Sequence, residues 1–130
     1  MRSVSLVLSL ALVMSGCSDT LSPSALAGTW SQVVTTSAFG VVITLTPNGK
    51  NLAGTGTSCV DLGGCEAITV TGSVSGDAVH LDLAYGGGYT QRFDGHFASH
   101  DLLEGSVIGE RAGQPPQLMY PVRYQRVLVL

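Results

Sequence analysis

Three cysteines, three histidines and nine carboxylates are the side chains of this 130-residue chain that could support chemistry. Cys59 and Cys65 flank Val60-Asp61-Leu62-Gly63-Gly64, a short segment with two glycines suited to a tight return. The spacing is not Cys-x-x-Cys and no histidine lies nearby, so a structural disulfide is favoured over a metal or redox pair. Closing so small a loop would contribute about 2–2.5 kcal/mol in the chain-entropy model. His80 and Asp82 alternate on one strand-like run, and Arg92, Asp94 and His96 alternate on the next. Two imidazoles and two carboxylates are metal-ligand types, but cross-strand charge pairs on a wet face are the commoner use of such a pattern. No metal site is assigned. No Gly-x-Ser-x-Gly elbow occurs, and no cysteine is spare for nucleophilic catalysis once all three have a use. The glycines of Tyr85-Gly86-Gly87-Gly88-Tyr89 join two strands and do not open a helix, which argues against a phosphate cradle. The reading is a non-enzymatic protein with no cofactor.

The third cysteine carries an address. Arg2 precedes an apolar run from Val4 to Val13, and Met14-Ser15-Gly16-Cys17 follows. A positive start, a short apolar stretch and small residues before a cut form a secretory signal. The apolar run is about half of the roughly 20 residues a transmembrane helix needs. Met14 to Cys17 resembles the lipobox of bacterial lipoproteins. That resemblance implies a signal peptide over 1–16, diacylation of Cys17 as the mature N-terminus, and a lipid-anchored place in the cell envelope. An ordinary secreted protein is the alternative. Ser18 lacks the aspartate that retains some lipoproteins at the inner membrane, so the outer membrane is expected.

Residues 17–130 hold five Lys/Arg against nine Asp/Glu, a net charge of −4. Nothing basic enough for nucleic acid is present. Residues 17–27 are small and polar and read as the lipidated cysteine and its tether. From Gly28 the chain is a series of short runs separated by turn residues: 28–35, 41–46, 51–58, 66–74, 78–84, 89–98, 102–109 and 118–127. Most links are two to five residues, the length of hairpin loops. Eight strands in a meander with no helix close most naturally into an up-and-down β-barrel, which removes exposed edges. The expected domain is 28–130.

Alternation assigns the inside. Val41, Ile43 and Leu45, then Ile68, Val70 and Val74, then Val79, Leu81 and Leu83, then Tyr89, Phe93 and Phe97 share the apolar phase. The same phase turns Gly54, Gly56, Gly72, Gly95 and Gly105 inward, where they would both coil the strands and leave room. Leu26-Ala27-Gly28-Thr29-Trp30 resembles the Gly-x-Trp opening of calycin-type barrels, the lipocalins and avidins. That resemblance implies that Trp30 closes the barrel floor and that Arg126, at the end of the last strand, packs across it. Avidins hold biotin with several tryptophans; here there is one, and no biotin site is inferred. Two functions remain open. In the first, a packed barrel contacts another envelope protein through the disulfide loop and the proline-containing 110–117 loop. In the alternative, the interior carries a small apolar ligand lined by Gln32, Tyr89, Gln91, Phe93, Phe97 and Tyr124. The limited core of so small a domain favours the interaction module, and a void of several hundred Å³ would favour the carrier.

Overall fold

A computed structural model of the chain describes residues 22–33, 39–60 and 62–128. The segment expected to be a signal peptide and Cys17 lie outside the described residues. Eight strands follow one another: β1 (Gly28–Gln32), β2 (Phe39–Asn48), β3 (Asn51–Val60), β4 (Gly64–Ser75), β5 (Ala78–Ala84), β6 (Tyr89–Ser99), β7 (Leu102–Arg111) and β8 (Tyr120–Arg126). Each pairs antiparallel with its successor, and β8 returns to β1 through Trp30 opposite Arg126 and Gln32 opposite Tyr124. The sheet is therefore closed, as the meander of hairpins implies.

Sequence and structure differ at the strand ends. β3 and β4 run on through the expected cysteine loop, so that Cys59 stands opposite Cys65 and Val60 opposite Gly64. The disulfide forms, with Sγ–Sγ 2.05 Å, as a brace across a ladder that continues past it. β8 begins at Tyr120, leaving Leu118 and Met119 exposed in the preceding loop. The stretch read as tether also ends differently. Pro23–Leu26 forms a 3₁₀ turn that leaves Leu26 wholly buried. The apolar side chain at its end gains more by entering the barrel than a free tether would.

The core is apolar throughout. Ile43, Leu45, Val70, Leu81, Leu83, Phe93, Leu103 and Tyr124 are among its buried members, and none of the buried described residues is charged. The in-phase glycines are inward, but they do not leave space. A methyl at Gly54 would strike the Thr44 carbonyl oxygen, and one at Gly95 would strike the Glu104 carbonyl and the Phe93 ring. They permit tight coiling of neighbouring strands, and the side chains of Leu45 and Phe93 lie over them. Gly76 serves the two-residue β4–β5 turn at φ 62°, a left-handed conformation that glycine adopts without strain.

The two ends of the barrel

An up-and-down barrel alternates its loops between two ends, and here the ends are built differently. The β2–β3, β4–β5 and β6–β7 turns share one end with the 3₁₀ turn. Trp30 is fully buried there and donates its indole N–H to the Leu26 carbonyl at 3.0 Å. The Arg126 guanidinium lies 4.3 Å from the indole centroid. It donates to the carbonyls of Ala27 (2.8 Å), Ala25 and His100 (3.2 Å) and pairs with Asp101 at 3.3 Å. Phe97 meets Trp30 edge-on with centroids 6.0 Å apart. One cation thus ties the chain entry, the β6–β7 turn and the last strand into a sealed floor.

Among the described residues, the opposite end is open. A cavity of about 530 Å³ is lined from β1 by Gln32, from β2 by Val41, from β3 by Ser58 and Val60, and from β4 by Glu66. Tyr85, Tyr89 and Gln91 from the β5–β6 hairpin and Tyr120 from β8 complete the wall. The Gly86–Gly88 turn places two of these rings. Gly87 and Gly88 sit at φ 74° and 78°, which lets the Tyr85 N–H reach the Tyr89 carbonyl at 2.9 Å. The two phenol rings consequently lie 5.3 Å apart.

Gln91 organises the polar atoms. Its carboxamide oxygen accepts from the Tyr85 hydroxyl at 2.8 Å. Its NH₂ donates to the hydroxyls of Tyr89 (3.3 Å) and Tyr120 (3.2 Å). Tyr89 in turn donates to the Gln117 side-chain oxygen at 3.1 Å. Glu66 accepts from the Gly86 N–H at 2.7 Å. Burial, followed by the neighbouring Tyr120 and Tyr89, pushes the Tyr85 phenol far up; burial does most of the same for Tyr120 and Tyr124. All three stay neutral at physiological pH.

Of the six side chains expected to line a ligand site, the structure brings Gln32, Tyr89 and Gln91 to this cavity. Phe93 and Tyr124 lie deeper, buried and packed edge-to-face at 5.3 Å, as filled core. Phe97 belongs to the floor. The correction has a simple cause: alternation reports which face a residue takes, whereas depth along the barrel axis depends on register. Tyr85, Tyr120, Glu66, Ser58, Val41 and Val60 also line the cavity. Val41 was itself assigned inward and the others are in phase with assigned inward residues, Tyr85 by continuing Val79, Leu81 and Leu83.

On the outer wall, His80 lies between Asp94 (Nδ1, 2.7 Å) and Asp82 (Nε2, 3.1 Å). Partial burial lowers its pKa, but the hydrogen bonds to Asp94 and Asp82 outweigh that and leave it raised. Arg92 pairs with Glu110 at 2.9 Å, and Arg123 with Glu104 at 3.2 Å. Among the described residues no group of three or more His, Cys, Asp or Glu is placed to hold a metal ion.

A closed eight-stranded barrel with one plugged and one open end is a lipocalin-like architecture. Its structural neighbours include redesigned β-barrels. EF1p2_mFAP2b bound to DFHBI superposes with a TM-score of 0.68 at 13% identity, covering 85% of this chain and 100% of that one. A redesigned beta barrel gives 0.66 at 13% identity over 82% and 96% of the two chains. The redesigned beta barrel mFAP1 bound to DFHBI gives 0.63 at 14% identity over 81% and 98%. No family model matches the chain, and no curated protein matches it in sequence.

Proposed function

We propose that this protein is a lipid-anchored envelope protein whose barrel binds a small, mostly apolar ligand in its open mouth without catalysing a reaction. The observation that carries the binding reading is the cavity of about 530 Å³, within the roughly 300–1,000 Å³ of small-molecule sites. It shifts the balance from the packed interaction module to the carrier. Two of the similar designed barrels are bound to DFHBI, which lends support at the level of fold. The anchor rests on Met14-Ser15-Gly16-Cys17 alone, and with it the outer-membrane location. Stable attachment needs more than one acyl chain, as diacylation provides.

Titration with the apolar dye N-phenyl-1-naphthylamine tests the pocket. The wild-type domain should bind it with 1:1 saturation. Ser58→Phe, which places a ring in the cavity, should abolish binding while leaving the circular dichroism spectrum unchanged. Equal dye binding by this variant would sink the proposal. Cys17→Ser should release the protein from the membrane fraction or leave an uncleaved precursor. Fatty-acid labelling that persists in this variant would exclude Cys17 as the lipid site.

A second reading has one specific observation behind it. Leu62 and Leu118 are almost wholly exposed, and Met119 is 61% exposed, all on loops at the mouth. Such a rim suits contact with another envelope protein. Photo-crosslinking from position 118 that captures no protein in intact cells would remove this reading.

A further inference from the structure

We infer that the mouth selects a cationic ligand, an organic ammonium compound with an apolar body, held by the tyrosine rings and Glu66. This deepens the carrier reading and rests on it. The argument starts from which protons are already used. The Tyr85 hydroxyl donates to Gln91 and the Tyr89 hydroxyl to Gln117, while the Gln91 NH₂ is spent on Tyr89 and Tyr120. The donors of Tyr85, Tyr89 and Gln91 are turned toward one another, while the Tyr120 hydroxyl and the Gln32 carboxamide keep donors at the wall. What the wall offers a cation is three phenol faces and the Glu66 carboxylate.

Charge points the same way. Among the described residues, Glu66 is the one ionisable carboxylate lining the cavity, and no lysine or arginine lines it. Its carboxylate is held beside Tyr85 by the Gly86 N–H at 2.7 Å. An anionic ligand would meet a carboxylate and three electron-rich rings, with no lysine or arginine among the described lining residues. An ammonium group meets the arrangement that aromatic cages use for quaternary amines. Tyr89 already engages one cation, because the Arg111 guanidinium lies 5.6 Å from its ring centroid and donates to the Gly87 carbonyl, which leaves the Tyr85 and Tyr120 rings for a ligand. A neutral apolar molecule would fit the volume but leave the Glu66 carboxylate without a counter-charge.

The test compares benzyltrimethylammonium with its uncharged carbon isostere, neopentylbenzene, by isothermal titration on the intact domain. The pair have the same shape and differ in one charge. The wild type should bind the cation about tenfold more tightly than the isostere. Glu66→Gln, at an exposed side chain whose loss should not disturb folding, should cut that ratio to about two- or threefold. Ser58→Phe should abolish binding of both probes. Equal or tighter binding of neopentylbenzene would overturn the cation inference and leave the carrier reading standing. An unchanged ratio in Glu66→Gln, or cation binding that survives Ser58→Phe, would overturn the assignment to this mouth. Failure of both probes to bind would overturn the inference and the carrier reading together.

Discussion

Arg126→Leu is the substitution that most directly questions the floor. The leucine keeps an apolar stem beside Trp30 but removes the guanidinium held 4.3 Å from its ring. That cation–π contact contributes about 0.5–2 kcal/mol according to desolvation, and here the arginine side chain is only 21% exposed. The guanidinium also donates to the carbonyls of Ala25, Ala27 and His100. Charged hydrogen bonds contribute about 1.5–3 kcal/mol each when shielded, and considerably less here because water can replace most of them. The Asp101 pair, with the carboxylate 54% exposed, adds at most a few tenths of a kcal/mol. The expected total is about 2–4 kcal/mol, a large part of the roughly 5–15 kcal/mol that holds a domain folded. For a barrel of this size that lowers the melting temperature by about 10–25 °C. Urea unfolding followed by Trp30 emission reads the floor directly, because the chain has one tryptophan. Arg126→Lys should fall between, since an ammonium keeps the charge but loses the fork. Dye binding at the opposite end should persist in the folded fraction of both variants. A loss below 1 kcal/mol in Arg126→Leu, or a lysine variant no more stable than the leucine one, would refute the idea that this guanidinium joins the floor.

Three other perturbations follow from the same structure. Cys59→Ser with Cys65→Ser should cost about 2–2.5 kcal/mol and also weaken dye binding, because Ser58, Val60 and Glu66 beside the brace line the cavity; unchanged affinity in the double variant would separate the brace from the site. His80 has a raised folded pKa, so its contribution is complete below its ordinary value near 6.5 and is lost as pH rises through the folded value. Denaturation between pH 5 and 9 should show that small decline, and His80→Gln should flatten it; the same slope in both proteins would disprove the assignment. Gly54→Ala should destabilise by about 1–3 kcal/mol, because the methyl meets the Thr44 carbonyl; a neutral result by calorimetry would mean the strands are less tightly coiled there.

The barrel was legible because its signals are local. Val41, Ile43 and Leu45 against Val42, Thr44 and Thr46 fix a face with period two, and Gly76-Asp77 marks a turn by its backbone needs. Eight such units joined by short links leave little choice but closure. The mouth was harder to read. Gln91 and Phe93 share one inward face on β6, yet one is in the cavity wall and the other in the core. Only the register between strands, and the place where side chains stop filling the interior, separates them. Glu66 carried no signal on its own. Its importance depends on a turn twenty residues away that brings Gly86 and Tyr85 to it. Leu26 was misread as tether because one apolar residue among small polar ones has no period, and its burial depends on a floor built from distant strands.

The two ends of the barrel also set a direction. Residues 23–26 pack at the floor beside Trp30, so the chain joins the domain at the end opposite the mouth. Four residues lie between Cys17 and Ser22, and the five Cα–Cα steps reach at most about 18 Å. A ten-residue strand such as β2 tilted as barrel strands are spans roughly 25 Å along the axis. If Cys17 is the anchor, an upright barrel holds its floor to the membrane and its mouth away from it. The exposed Leu62, Leu118 and Met119 then rim an opening that faces the aqueous compartment. Ligand would arrive there from solution or from a partner docked on that rim, and lateral uptake from the bilayer would require the barrel to tip. The carrier and interaction readings meet at this point: the apolar rim of the mouth is where a donor or acceptor protein would touch, and the tyrosine-lined cavity is what it would fill or empty.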